Sequence, residues 1–344
     1  LPFASFIIPT FNSEKYIENT LNSVFSQKFN DFEVLIIDNC STDKTKNIIE
    51  KYQEKEKKRC ILIQNNENKG IPFARNQGWE KVNSPYILHL DHDDLALPFR
   101  LQTQIDFMEN NPEITASGTD VKYFGQNDNS WLVPKNSNYI QASILFHSPI
   151  ANPSAIFRTQ ILKDNQIKHN LDYSLASDYD IWRQLAMIGK LENLAITCTH
   201  IHKHLKNASQ NDLQIKLESL QIQKKYFLDT LQIDLNEEEL NIAFEVTKNI
   251  KTFDLKEYLE KVENLFQKII QQNQKTHFFS SVYLQKVMEE IWLKNFAGNL
   301  FMHPHITTIF QKSSFSPFQK YSFYQKLKFF MKKFLYMKQL NFKD

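Results

Sequence analysis

The sequence predicts an α/β fold: a Rossmann-like, mostly parallel central sheet flanked by helices, followed by a C-terminal α-helical domain. Three observations carry this reading. Short continuous apolar runs alternate with segments of helical apolar spacing, the order expected of buried strands joined by crossover helices. Polar and acidic residues gather at the carboxyl ends of those runs, where open α/β sheets bind their ligands. Beyond about residue 211 the strand-like runs give way to helical spacing.

Phe3 to Ile8 is an apolar run stopped by Pro9, a first strand, and Thr10-Phe11-Asn12-Ser13 supplies turn residues and a helix start. Tyr16, Ile17, Leu21, Val24 and Phe25 then recur at helical spacing. Phe32 to Ile37 is a second strand ending in Asp38-Asn39-Cys40-Ser41-Thr42-Asp43. A second helix starts at Thr45, with Ile48, Ile49 and Tyr52, and runs into the charged stretch Glu54 to Arg59, read as a solvated helix end. Cys60 to Gln64 is a third strand. The first strand-to-helix turn, Pro9-Thr10-Phe11-Asn12, holds no glycine. It therefore lacks the GxGxxG loop that lets a pyrophosphate reach the backbone, which argues against a nicotinamide or flavin dehydrogenase. A nucleotide held by side chains remains open: Thr10 and Asn12 stand at one strand end and Asp38 at the next. Asp38 is equally read as an Asx turn or cap.

Asn68-Lys69-Gly70 is a loop with a glycine hinge before a helix carrying Ala74, Arg75 and Asn76. Lys69 and Arg75 are candidates for phosphate oxygens, and Arg75 equally for an ion pair with the acidic cluster that follows. That cluster ends the strand Tyr86 to Leu90: Asp91-His92-Asp93-Asp94. Three carboxylates in four residues repel one another unless something positive sits among them. A divalent cation with oxygen ligands meets that need, and an acidic loop or N-cap is the alternative.

The chain has 344 residues and a net charge of +2, enough for one large or two ordinary domains. Cys40, Cys60 and Cys198 form no CxxC pair and leave an odd thiol, which suits a reducing compartment and argues against a disulfide or zinc framework. No apolar run approaches the roughly 18 residues of a membrane span. The N-terminus lacks the basic start of a secretory signal. A cytoplasmic chain is expected.

Together these segments resemble the inverting nucleotide-sugar glycosyltransferases of family 2, which have the GT-A fold. The resemblance rests on Ile8-Pro9-Thr10-Phe11-Asn12, Ile36-Ile37-Asp38-Asn39-Cys40-Ser41-Thr42-Asp43, Asn68-Lys69-Gly70 with Ala74-Arg75-Asn76, and Leu90-Asp91-His92-Asp93-Asp94, in that order. It implies that Pro9, Thr10, Asn12, Asp38, Arg75 and Asp91 hold the donor nucleoside. It implies that Asp91 and Asp93 are the DxD pair, with Mn²⁺ or Mg²⁺ on the diphosphate. His147 to Arg158 is similar to the strand and loop preceding the family's acceptor site. Ala176-Ser177-Asp178-Tyr179-Asp180-Ile181-Trp182 is similar to the helix start carrying the catalytic base, which implies Asp178 as base, in a helix-capping position, with Asp180 as fallback. Ser177 stands where the family usually has Glu. His200, His202 and His204 alternate as on one strand face, and the resemblance implies His204 beside the metal.

The resemblance covers about residues 1–210, the expected catalytic domain; 211–344 is the expected helical domain. Leu255, Tyr258, Leu259, Val262 and Phe266 keep helical spacing, as core packing requires. From about 318 to 343, Phe323, Tyr324, Phe330 and Phe334 alternate with Lys320, Lys326, Lys328, Lys332, Lys333 and Lys338, and no acid interrupts Lys320 to Lys343. A basic aromatic amphipathic segment suits an anionic membrane surface. A docking helix is the alternative, and nothing else in the chain supports nucleic-acid binding. The expected partners are therefore a nucleotide-sugar donor, a glycan or lipid-linked acceptor in lipooligosaccharide, capsule or similar synthesis, and the inner face of a bacterial cytoplasmic membrane. The rival readings are a nucleotidyltransferase, whose glycine- and lysine-rich N-terminal loop is absent, and a nucleotide-sugar-binding scaffold, which would need no base.

Overall fold

The alternating apolar runs form strands in the computed structural model, which describes residues 1–126, 128–204, 211–248, 255–297 and 312–316. The chain divides into two units, Leu1–Asp229 and Thr230–Asp344. Among the described residues, nine strands lie in the first: β1 (Ala4–Thr10), β2 (Phe32–Asp38), β3 (Cys60–Gln64), β4 (Tyr86–His89), β5 (Leu95–Ala96), β6 (Ile114–Gly125), β7 (Ser130–Trp131), β8 (Ile156–Arg158) and β9 (Lys190–Lys203). They form one sheet in the order β3-β2-β1-β4-β8-β6-β9-β5, with β7 beside β6. The first four run parallel, as expected of crossover connections; β8 enters antiparallel between β4 and β6, and β9 returns parallel to β6.

The helices of this unit are α1 (Ile17–Phe25), α2 (Thr45–Glu56), α3 (Ile71–Lys81), α4 (Arg100–Asn110), α5 (Ser137–Ser143), α6 (Thr159–Asp164), α7 (Ser177–Ala186) and α8 (Asp212–Leu231). β1 is buried along its whole length. The apolar face of α1, with Ile17, Leu21 and Val24, joins Phe6, Ile8, Phe32 and Val34 in the main core. Pro9 is tolerated inside β1 because the pairing with β4 has already ended at Ile7 opposite His89, so its missing N–H breaks no ladder bond there. On α3, Gly78 lets the helix close on the sheet: a Cβ there would lie 2.8 Å from Ile7 Cγ2. The charge run after α2 is not wholly solvated. Arg59 pairs with Glu56 and lies over the Phe25 and Phe32 rings, 5.7 and 5.3 Å from their centroids.

The second unit is helical. α9 (Glu237–Glu245) starts in a capping box between Asn236 and Glu239. α10 (Leu255–Thr276) buries Leu255, Leu259, Val262 and Phe266 of the expected stripe, leaves Tyr258 half-buried and adds Ile269, and α11 (Ser281–Ala297) brings Trp292 to Phe266. The lysine-rich segment 318–343 lies outside the described residues. Among those described, no helix is long and apolar enough to cross a membrane.

One buried cation ties the sheet to the turn that follows its fourth strand. Arg100 is fully buried and donates to the carbonyls of His89 and Pro153, both at 2.8 Å, and to Gln104 Oε1 at 2.8 Å. Burial pushes its guanidinium down to about 10, so it stays charged at neutral pH. Arg100→Leu strands these acceptors in a dry interior. It is expected to cost about 3–5 kcal/mol, read as a lower urea midpoint.

Candidate active site

The site is built where four parallel strands end together. Thr10 and Asp38 are register partners at the ends of β1 and β2. Asp38 is fully buried. Its Oδ1 accepts from Ser41 N at 3.1 Å and from the Ser41 hydroxyl, so it does make the local turn that Asp favours. Its Oδ2 is buried with no partner, an acceptor the protein itself leaves unmatched. Thr10 Oγ1 bonds Ser13. Asn12, with φ 47°, accepts from Thr42 N at 2.8 Å and so clamps the two loops together. A chain of amides that sequence reasoning did not single out continues along the strand ends. Asn39 donates to Gly70 O (3.0 Å), Asn65 to Asn39 (2.8 Å) and Gln77 to Asn65 (2.9 Å).

The three carboxylates after β4 do not face one another unpaired. Asp91 accepts from Arg75 Nη2 at 2.8 Å, the ion-pair alternative for that arginine, while Lys69 pairs with Glu67 on the surface. Asp93 lies 2.9 Å from His204 Nε2. Asp94, buried, accepts from the backbone N–H of His202 at 2.8 Å. Burial first, then the charges of Asp91 and Asp93, hold the Asp94 carboxyl well above the usual range. The bond to His202 ties the acidic turn to β9, which carries the alternating histidines. His202 and His204 converge on Asp93, with ligand atoms of all three within 4.8 Å of one another. His200 is not part of this group. Tyr16 stacks on His204 (5.1 Å, 12°) and Phe124 on His202 (4.7 Å, 12°), which fixes both rings. Burial, and then His204, lower the His202 pKa, favouring the neutral, ligating form. One carboxylate oxygen and two imidazole nitrogens fit a divalent ion such as Mn²⁺.

Asp178 sits in the first turn of α7 and lines a cavity of about 280 Å³ together with Asp91, Asp93, Asp94, Asn152 and His202. Burial raises its carboxyl above the usual range, against the lowering field of Arg75. Asp178 Oδ1 accepts from Tyr179 N, one of the open N–H groups of the first turn, so the expected capping role extends to that single donor. The residues that lead into the helix, up to its N-cap Ala176, are capped from outside by Glu218 of α8. Its carboxylate accepts from Ser174, Leu175 and Ala176 N–H at 3.0, 2.9 and 2.7 Å. This cap was illegible in sequence, because it joins residues more than forty positions apart. Asp180 is not among the residues lining the cavity. Its two oxygens accept from Arg183 and Gln184, both at 2.7 Å, so the cavity receives Asp178 and not the fallback.

Residues 5–170 match the sequence model of glycosyl transferase family 2. The chain is 27% identical over 251 residues to a protein described as an uncharacterized glycosyltransferase of Haemophilus influenzae, covering 68% of this chain and 77% of that one. It is 28% identical over 220 residues to the UDP-Glc:α-D-GlcNAc-diphosphoundecaprenol β-1,3-glucosyltransferase WfaP of Escherichia coli, covering 61% and 81%. In fold it matches the crystal structure of Staphylococcus aureus TarS 1-349 in complex with UDP-GlcNAc. The TM-score is 0.58 at 21% identity, over 79% of this chain and 83% of that one. The matched share is smaller in longer relatives, 30% in one case.

Removing the external cap tests how α7 is held. Glu218→Ala leaves three backbone N–H groups without their acceptor and is expected to lower stability by about 2–4 kcal/mol. A melting temperature equal to wild type would show that α7 needs no partner from α8.

Proposed function

We propose, from the match of residues 5–170 to glycosyl transferase family 2, that the chain is a metal-dependent inverting glycosyltransferase acting on a UDP-sugar. It transfers the sugar to a hydroxyl of a bacterial surface glycan or its lipid-linked precursor. The observation that carries this reading is the shared cavity: the half-buried Asp178 carboxyl opens into the same space as Asp91 and Asp93. A base on one wall and acidic donor-side residues on another are what displacement at an anomeric carbon requires.

In this reading Thr10, Asn12 and the unpartnered Oδ2 of Asp38 receive the nucleoside, Asp38 as an acceptor for an imide N–H or ribose hydroxyl. The Arg75–Asp91 pair borders it on the ribose side. Asp93, His202 and His204 would hold the Mn²⁺ or Mg²⁺ ion, whose charge offsets that of the departing diphosphate. Asp178 takes the proton of the acceptor hydroxyl as its oxygen attacks the sugar carbon. The carbon–oxygen bond to the diphosphate breaks on the opposite face, and the nucleotide leaves with that electron pair. A UDP-sugar and a glycan acceptor follow the chemistry printed for WfaP and the ligand of the TarS structure. A peripheral position at the cytoplasmic face of the membrane is part of the proposal, through the lysine-rich segment 318–343.

Purified protein is expected to release UDP slowly from one sugar of a UDP-sugar panel with Mn²⁺ and to stop with EDTA. Release unaffected by EDTA would remove the metal from the mechanism. Asp178→Asn should lower transfer by at least about 10²-fold while donor Kd stays near wild type. A base must be deprotonated to act and burial raises this one, so the acidic limb of kcat/KM should lie above the ordinary carboxylate range. Unchanged turnover in the Asn variant would sink the base assignment.

A further inference from the structure

Behind the cavity four buried side chains stand in line. Trp79 Nε1 of α3 lies 2.8 Å from His89 Nε2, and His89 Nδ1 lies 3.0 Å from one end of the Asn152 amide. The other end of that amide lies 2.8 and 2.9 Å from Arg75 Nη2 and Nη1. Both ends of the line are obligate donors, since an indole N–H and a guanidinium accept nothing. Between them stand an imidazole and an amide, each with one donating and one accepting side. Burial first, then the charge of Arg75, keep His89 neutral. Two donors facing each other through two head-to-tail relays must leave one junction with donor against donor.

Asn152 can take either orientation, and each puts the mismatch somewhere else. With its oxygen toward Arg75, its NH₂ meets either a bare Nδ1 on His89, which puts the imidazole proton on Nε2 against the Trp79 N–H, or the Nδ1–H itself, a mismatch within the same buried stack. With its oxygen toward His89, the Trp79 and His89 bonds are both made, and the amide NH₂ faces Arg75. The junctions differ in access. The two made by His89 are enclosed at the imidazole, which is buried, stacked on Trp79 (5.4 Å, 27°) and on His169 (5.6 Å, 27°) and packed on Phe157. Asn152 lines the cavity, where an oxygen from outside can reach, and Arg75 Nε is itself buried without an acceptor.

We propose that Trp79, acting through the Nδ1–H tautomer of His89, holds Asn152 with its NH₂ toward Arg75 and the cavity, so that the two form a donor-only pair for an acceptor oxygen of the bound nucleotide-sugar. Asn152 is then a binding residue, and Trp79 and His89 are positioning residues that never touch the ligand. The ligand half of this inference rests on the functional reading above; the tautomer half does not.

¹⁵N-histidine NMR on ligand-free protein reads the tautomer directly. His89 is expected to be neutral and protonated on Nδ1; protonation on Nε2 overturns the inference. Trp79→Phe removes the obligate donor. His89 should then move to Nε2–H, Asn152 should turn its oxygen onto Arg75, and nucleotide affinity should fall by about tenfold. A structural role alone would lower the melting temperature without moving the proton. Should that variant fail to fold, Asn152→Asp decides, since a carboxylate accepts at both junctions: melting temperature should rise while affinity falls, and a lower or unchanged melting temperature overturns the inference. UDP and a UDP-sugar are titrated separately. Loss for both locates the oxygen in the nucleoside diphosphate, loss for the UDP-sugar alone locates it in the sugar, and no loss for either overturns the ligand half. Wild-type protein that binds neither compound would overturn the functional reading and the ligand half together, with the tautomer still assigned.

Discussion

The first unit depends on how it accommodates three carboxylates in one turn. Left together in a partly dry cavity, Asp91, Asp93 and Asp94 would repel by several kcal/mol. Each is instead drawn in a different direction: Asp91 to a guanidinium on α3, Asp93 to an imidazole at the end of β9, Asp94 to a backbone N–H within β9. The partners come from two distant parts of the chain, α3 and the end of β9. Electrostatic strain at the turn thus knits the parallel half of the sheet to the mixed half.

The parallel half was legible from sequence because its signals are local. Continuous apolar runs, Pro9, Gly70 and the acid cluster each report their own conformation within a few residues. The second half was harder to read. β8 is three residues long and enters antiparallel, and its place in the sheet is decided by Arg158, which reaches the carbonyls of Ile114, Met108 and Asn111. No short-range pattern announces such a bond.

The site shows the same division. Residues whose own chemistry suggests a role, such as Asp38, Asp93 and Asp178, were visible as residue types at strand and helix ends. Residues that hold others in place were not. Glu218 and His89 look ordinary in sequence and gain meaning only from what folding brings beside them. His89 illustrates this well: it ends a strand one turn before the acids, yet its contacts are to Trp79 and Asn152, on the sealed side. Its neighbour in sequence, His92, makes its one described bond through its backbone carbonyl, to Thr20.

The cap supplied by Glu218 has a bearing on modularity. The family resemblance fades near residue 210, and a boundary drawn there looks natural on sequence grounds. Such a cut would leave the helix bearing Asp178 with an open amino end, and it would separate Gln223 from the Phe146 carbonyl as well. The heritable unit is therefore longer than the matched segment. Recombination between relatives, natural or engineered, keeps the helix bearing Asp178 anchored only when α8 travels with the sheet, so the evolutionary breakpoint belongs after that helix and not before it.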